Sequence, residues 1–208
     1  MPKDLSSTPT VLIARVNKLL GLTESTLYYW DGDGSIRSQL TSGSAPNLLL
    51  VPLNITDFAV DGLSIYLDQY QGDTLVRLDT VTKVVTVLLP QEFGRDPIVF
   101  DANNVYTGRS TLMRMPKIQD GLAFPLVTTT AGNVLAPLFS DGITLYYRKG
   151  SSTVAGNDVL KSMPAYGGAS TPLVTGLAIK YLIGDATALY WVDSIIGGTA
   201  ISRMCLGS

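Results

Sequence analysis

The segment Asp31-Gly32-Asp33-Gly34-Ser35 sets two carboxylates at alternate positions around glycine bends, as a short loop does when it offers hard oxygens to calcium. An EF-hand loop counted from Asp31 needs glycine at its sixth position and glutamate at its twelfth, and those positions hold Ile36 and Ser42. Asp-Gly between strand-like runs is also a strong hairpin signal, because glycine tolerates positive φ. LYYW before the segment and SIR after it supply such runs. The reading favoured is a turn that binds no metal.

Other chemistry is narrowed by what is missing. The chain has no histidine, which excludes Ser-His-Asp and Cys-His catalysis and imidazole metal sites. Cys205 is alone, so it makes no internal disulfide and is expected to pack as a small apolar residue. Glu24 and Glu92 are the whole glutamate complement, so 17 acidic residues less these two leave 15 aspartates. That skew, with plentiful Ser, Thr and Gly, suits tight turns and strands. No cofactor is expected.

With 208 residues and 46% hydrophobic content, the chain can bury a substantial core as a single domain. A net charge of −2 without a Lys/Arg run argues against nucleic acid. The apolar stretch NLLLVPLNI (47–55) is far too short to span a bilayer, so no membrane insertion is expected. The opening residues lack a basic region followed by a long apolar run and are not an intact signal peptide. An extracytoplasmic setting is slightly favoured.

The elements that position these residues repeat. An aliphatic residue followed by tyrosine recurs at Tyr28, Tyr66, Tyr106, Tyr146 and Tyr190, spaced 38, 40, 40 and 44 residues apart. Five positions before the last four stand Asp61, Asp101, Asp141 and Asp185; the first unit has Thr23 there, followed by Glu24. SIRSQL, TLVRLD, TLMRMP, VLKSMP and AISRMC echo downstream, and APNLLL, VVTVLL, FPLVTT and TPLVTG follow in four units. Each unit thus holds four short strand-like runs, although ARVNKLLGL (14–22) has spacing for a turn of helix. Four strands in about forty residues predict a blade of a β-propeller.

The expected fold is all-β: one five-bladed propeller with blades near 17–51, 52–90, 91–130, 131–176 and 177–208 plus 1–16. The last unit lacks a fourth strand, and STPTVLIAR (7–15), similar to STPLVTG (170–176), is expected to complete it and close the ring. The Tyr-[Tyr/Trp]-x-Asp and apolar-x-Arg-Met-Pro pattern, strongest in LYYWD and LYWVD, resembles the bacterial relatives of the YWTD-type propellers. Those relatives often have six blades, where this chain has five repeats.

Within such a scaffold the five tyrosines are expected to pack between blades. The repeated aspartates should cap turns, and Arg37, Arg77, Arg114 and Arg203 should bond to the next blade. Specificity is expected where repeats differ, in the second-to-third-strand loops and the connections PQEFGRDP and TTTAGN. That face would gather Trp30, Asp33, Tyr70, Phe93, Arg95, Arg109 and Arg148, a mixture suited to a glycan or a peptide. The expected function is a non-catalytic binding scaffold and monomer. The alternatives are a glycosidase, with Glu24 or Glu92 as acid and Asp57 or Asp96 as its partner, and a purely structural propeller.

Overall fold

The computed structural model describes residues 13, 16–50, 55–69, 74–89, 97–118, 122–129, 133–151, 157–185, 187–195 and 198–206. Every regular element among them is a strand. The chain divides into two compact units, residues 1–53 and 54–208.

The first unit is one antiparallel sheet of β1 (Val16–Leu22), β2 (Thr26–Asp31), β3 (Ile36–Leu40) and β4 (Asn47–Leu50), in that order. The helix-like spacing of 14–22 is overridden, because pairing with LYYWD makes Val16–Leu22 a strand. The second unit holds four further meanders. Its first sheet is β5 (Ile55–Asp61), β6 (Ser64–Gln69), β7 (Thr74–Asp79) and β8 (Val85–Leu89). The next is β9 (Val99–Phe100), β10 (Asn104–Gly108), β11 (Thr111–Pro116) and β12 (Phe124–Thr128). The third is β13 (Asn133–Ser140), β14 (Thr144–Ser151), β15 (Asp158–Pro164) and β16 (Thr171–Leu177). The last is β17 (Ile179–Gly184), β18 (Ala188–Ile195) and β19 (Gly198–Cys205), three strands among the described residues. The expected completion by residues 7–15 lies outside the described residues.

Regularity is concentrated in the middle of each sheet. The second and third strands pair without a register shift in all five. Shifts appear instead where a first or fourth strand joins them, in β1–β2, β5–β6, β13–β14 and β17–β18 and in β3–β4, β7–β8, β11–β12 and β15–β16. Each bulge bends its strand and adds local twist, so the flanks coil around a straight central hairpin.

No sheet of the second unit contains a core of its own; the core lies between sheets. Residues alternate across a strand, so Tyr146 and Tyr147 point to opposite faces of β14. Tyr147 joins Tyr106, Leu112, Leu135 and Met163 in one layer, and Tyr146 joins Leu160, Leu182, Leu189 and Trp191 in the next. Tyr66 belongs to the layer before, with Leu75, Leu89, Val105 and Met115. Tyr66, Tyr106 and Tyr146 therefore each pack against the following sheet, as expected. Consecutive first strands β5, β9, β13 and β17 are neighbours in space, which brings the sheets together along one edge.

A backbone hydrogen bond recurs in all five sheets and ties the turn after the third strand to the turn after the first. Thr41, Thr80, Lys117, Ala165 and Leu206 donate N–H to the carbonyls of Ser25, Leu63, Asn103, Ile143 and Thr187 at 2.8–2.9 Å. The repeated aspartates stabilise the first of those turns. Asp101, Asp141 and Asp185 each accept two amide N–H bonds from the residues two and three places on, as expected. Asp61 instead bonds Lys117 of the next sheet.

Two expectations are corrected. Arg37 is out of register with the other arginines: it stands opposite Tyr29, whereas Arg77, Arg114 and Arg203 stand opposite the repeated Tyr66, Tyr106 and Tyr190. One step along a strand reverses the face, and Arg37 bonds within its own hairpin. Cys205 is exposed, because the alternation of β19 turns Met204 into the layer and Cys205 away from it.

The Asp31–Ser35 segment is a hairpin turn in which Gly34 has φ +85° while Gly32 keeps an ordinary backbone. A residue with a Cβ costs about 1–2 kcal/mol in that left-handed region. Gly34→Val should therefore lower the urea midpoint, with unchanged m value, by clearly more than Gly32→Val does. Equal losses would place the constraint elsewhere in the turn.

Candidate functional site

Within the first unit, the two carboxylates of the hairpin face inward on their own loop. Asp31 Oδ1 accepts the amides of Asp33 (3.1 Å) and Ser35 (3.2 Å), and Asp33 Oδ1 accepts Ser35 N–H at 2.7 Å. The remaining oxygens meet one guanidinium, Arg37 Nε on Asp31 and Nη2 on Asp33 at 3.0 Å. A cation entering here would have to displace an arginine and two amides. Calcium at millimolar excess should leave the melting temperature unchanged. A rise that disappears in the Asp31→Asn, Asp33→Asn double variant would show a metal site, since a ligand of the native state stabilises by about 2.7 kcal/mol at a hundredfold excess over Kd.

The other expected site residues divide. Trp30 is half-buried on β2, with its indole N–H closed off and unpartnered, so it does not form an exposed platform. Glu24 is exposed in the turn after β1. In the second unit, Arg109 is exposed just after β10, whereas Arg148 is half-buried and bound. Its guanidinium lies 3.5 Å from the Asp158 carboxylate and donates to the Ile179 carbonyl at 3.3 Å, linking β14 to the next sheet. Asp57 accepts the Ile98 amide at 2.8 Å and links sheets in the same way. Tyr70, Glu92, Phe93, Arg95 and Asp96 lie outside the described residues.

The most connected polar cluster is buried and structural. Asp101 accepts hydrogen bonds from the amides of Asn103 and Asn104, from the Tyr106 hydroxyl at 2.6 Å and from Ser140 of the neighbouring sheet at 3.1 Å. Burial opposes ionisation of Asp101, yet the bonds from Tyr106, Asn103, Asn104 and Ser140 outweigh it and hold its carboxyl below the ordinary range. Burial, reinforced by the Asp101 bond and charge, pushes the Tyr106 hydroxyl well above its usual value, so it remains a donor. Asp101→Asn should cost about 1–3 kcal/mol at neutral pH by breaking this network. A depressed carboxyl stabilises above its unfolded pKa and loses that contribution as pH falls through the folded one. The gap between native and variant melting temperatures should therefore close as pH falls below about 4.

The signal that sequence reasoning passed over lies at the opposite ends of the strands, where the paired turns sit. In the second unit these turns carry Leu63 (62% exposed), Val81 (66%), Ile118 (92%), Leu122 (47%), Ile143 (80%) and Tyr166 (59%). Turn tips are ordinarily polar, and the apolar residue after Asp-Gly in DGLS and DGIT is visible in the sequence.

No protein-family model matches the sequence, and no curated protein matches it either. Solved structures do. The chain is similar to a protein in a crystal structure of the nidogen/laminin complex, at 16% identity and TM-score 0.63, over 88% of this chain and 78% of that one. It is similar to BamB from Moraxella catarrhalis, at 17% identity and TM-score 0.58, over 95% of this chain and 62% of that one. Oligogalacturonate lyase from Vibrio parahaemolyticus aligns at 11% identity and TM-score 0.68, over 92% of this chain and 64% of that one. The fold is that of a β-propeller. Its five sheets are the blades, numbered here from the N-terminus, and neighbours with this architecture include both binding proteins and enzymes.

Proposed function

We propose that this propeller is a non-catalytic module that binds a protein partner. The observation that carries the reading is how its charged side chains are used. Arg37 with Asp31 and Asp33, Lys117 with Asp61, and Arg148 with Asp158 are all engaged in holding turns and blades. Glycoside hydrolysis needs one carboxyl kept protonated. Asp79, by the Thr82 amide first, and Asp185, by the Thr187 hydroxyl first, are both held below the usual carboxylate range, like Asp101. These three carboxylates serve their own turns and, in Asp101, a seam between blades. Exposed apolar turn tips, by contrast, are an asset for a protein surface that meets another protein. The nidogen structure, a complex with laminin, is a precedent for the fold in that role.

A displayed random-peptide library, a glycan array and a hydrolysis assay on plant and bacterial polysaccharides separate the readings. Saturable peptide enrichment with no turnover is expected. Turnover lost in Glu92→Gln would overturn the binding-module reading in favour of a glycosidase, and glycan binding alone would replace the protein partner with a sugar.

A further inference from the structure

In the second unit three arginines share one register, each opposite a repeated tyrosine: Arg77, Arg114 and Arg203. Side chains opposite each other in an antiparallel pair lie on the same face, which for Arg77 and Arg114 is the face turned to the next blade. Arg77 uses that position as a structural tie and donates Nη1–H to the Lys117 carbonyl at 2.9 Å. Lys117 follows Met115-Pro116, and the corresponding residue in the next blade, after Met163-Pro164, is Ala165. The Ala165 carbonyl lies 3.3 Å from the Tyr106 hydroxyl, and Arg114 makes no bond to it. The Arg114 guanidinium rests instead between two rings, 4.9 Å from the Phe124 centroid and 4.7 Å from that of Tyr166. Its Nε is closed off without a partner, and among the described residues no hydrogen bond or ion pair of its guanidinium is found.

The two rings hold a cation for whose N–H donors no acceptor is found among the described residues. A guanidinium held in this way is suited to a carboxylate, which matches its fork in a bidentate pair. The turn of blade four is shaped to supply the second ring. Gly167, at φ +102°, lets the chain reverse directly after Tyr166 and sit against Leu126 of blade three. Ile118 and Leu122 are exposed between β11 and β12, the strands that carry Arg114 and Phe124, and the exposed Ile143 is tied to the Tyr166 turn by the bond from Ala165. An open cleft of about 270 Å³, lined in part by Ile143, Thr144, Met163 and Pro164, begins at the same tip. Among the described residues, the charges at these turns have other partners. Lys117 is bound to Asp61, and Asp141 turns an oxygen to the amides of Ile143 and Thr144.

We propose that Arg114, held between Phe124 and Tyr166, anchors a docking surface on the turns of blades three and four that receives an acidic side chain flanked by apolar residues of a partner protein. An aromatic–arginine centre with an apolar surround is the usual composition of an interface hot spot. The partner's carboxylate supplies the acceptor that Ala165 does not, and its flanking apolar groups cover Ile118, Leu122 and Ile143. This inference rests on the binding-module reading and specifies its surface.

The probe is acetyl-Leu-Glu-Leu-Phe-amide, titrated into the 15N-labelled 208-residue chain, with the Gln-for-Glu peptide and sodium acetate as comparators. The expected result is a saturable shift of the Arg114 Nε–H resonance and of the amides at 117–118, 143 and 165–168. The Gln peptide should bind at least about tenfold more weakly, the loss that follows from removing a charge-assisted pair. Arg114→Met should abolish the preference for Glu. Ile143→Ser, at an exposed tip that cannot unfold the blade, should weaken binding several-fold, so the surface is tested even if Arg114→Met folds poorly. Equal binding of the Glu and Gln peptides, shifts confined to the opposite ends of the strands near Arg109, or no shift at all would overturn this surface. Peptide enrichment in the library screen would then still support the binding module. Acetate binding as tightly as the peptide would also overturn it, by showing a small-anion site.

Discussion

Everything in the second unit depends on a constraint of thickness. A blade is one sheet, and a single sheet has two faces to cover and nothing of its own to cover them with. The layers between blades are therefore the core: blades two and three share one, three and four the next, and four and five the third. That is why β6 and β10 are buried on both faces while β12, at the periphery, is largely open. It is also why a tyrosine recurs in the second strand. Its ring fills the layer, and its hydroxyl finds polar partners at the layer's edge, as Tyr106 does with Asp101 of its own blade and the Ala165 carbonyl of the next.

The polar groups follow from that arrangement. Where the layers end, backbone atoms of adjoining blades come close without a ladder to pair them, and side chains take over. Asp57 and Asp158 accept the amides of Ile98 and Ile179 from the following blade, while Arg77 and Arg148 donate to the carbonyls of Lys117 and Ile179. Carboxylates and guanidiniums that look functional when read singly are thus the seams of the scaffold. Arg114 departs from this use while standing in the same register, and for that reason it is informative.

Much of the architecture was legible in the sequence because the propeller writes it five times. The Tyr spacing gave the number of blades, the Asp five residues earlier gave the turn, and the four runs per unit gave the sheet order. Register was harder. SIRSQL and TLVRLD look alike as text, yet Arg37 and Arg77 stand on opposite faces, because a shift of one residue decides the face and only pairing fixes it. The candidate surface was missed for a different reason. Variation in loop length points to DQYQGD and RKGSSTVAGND. The apolar tips of the short turns keep their length and differ only in chemistry. The stacking of Tyr166 on Arg114 joins residues in different blades and has no local signature at all.

The bond that ties the two turns of every blade has a consequence for how such a protein diversifies. Because it uses only backbone atoms, it places no demand on the side chains at the tips it joins. Each blade then offers a socket of standard form carrying an interchangeable fitting. Leu63, Ile118, Ile143 and Tyr166 occupy such fittings, outside the layers that set stability. A lineage built on this plan can revise its contact surface one tip at a time, by point substitution or by exchange of whole repeats, while the packed interior stays as it was.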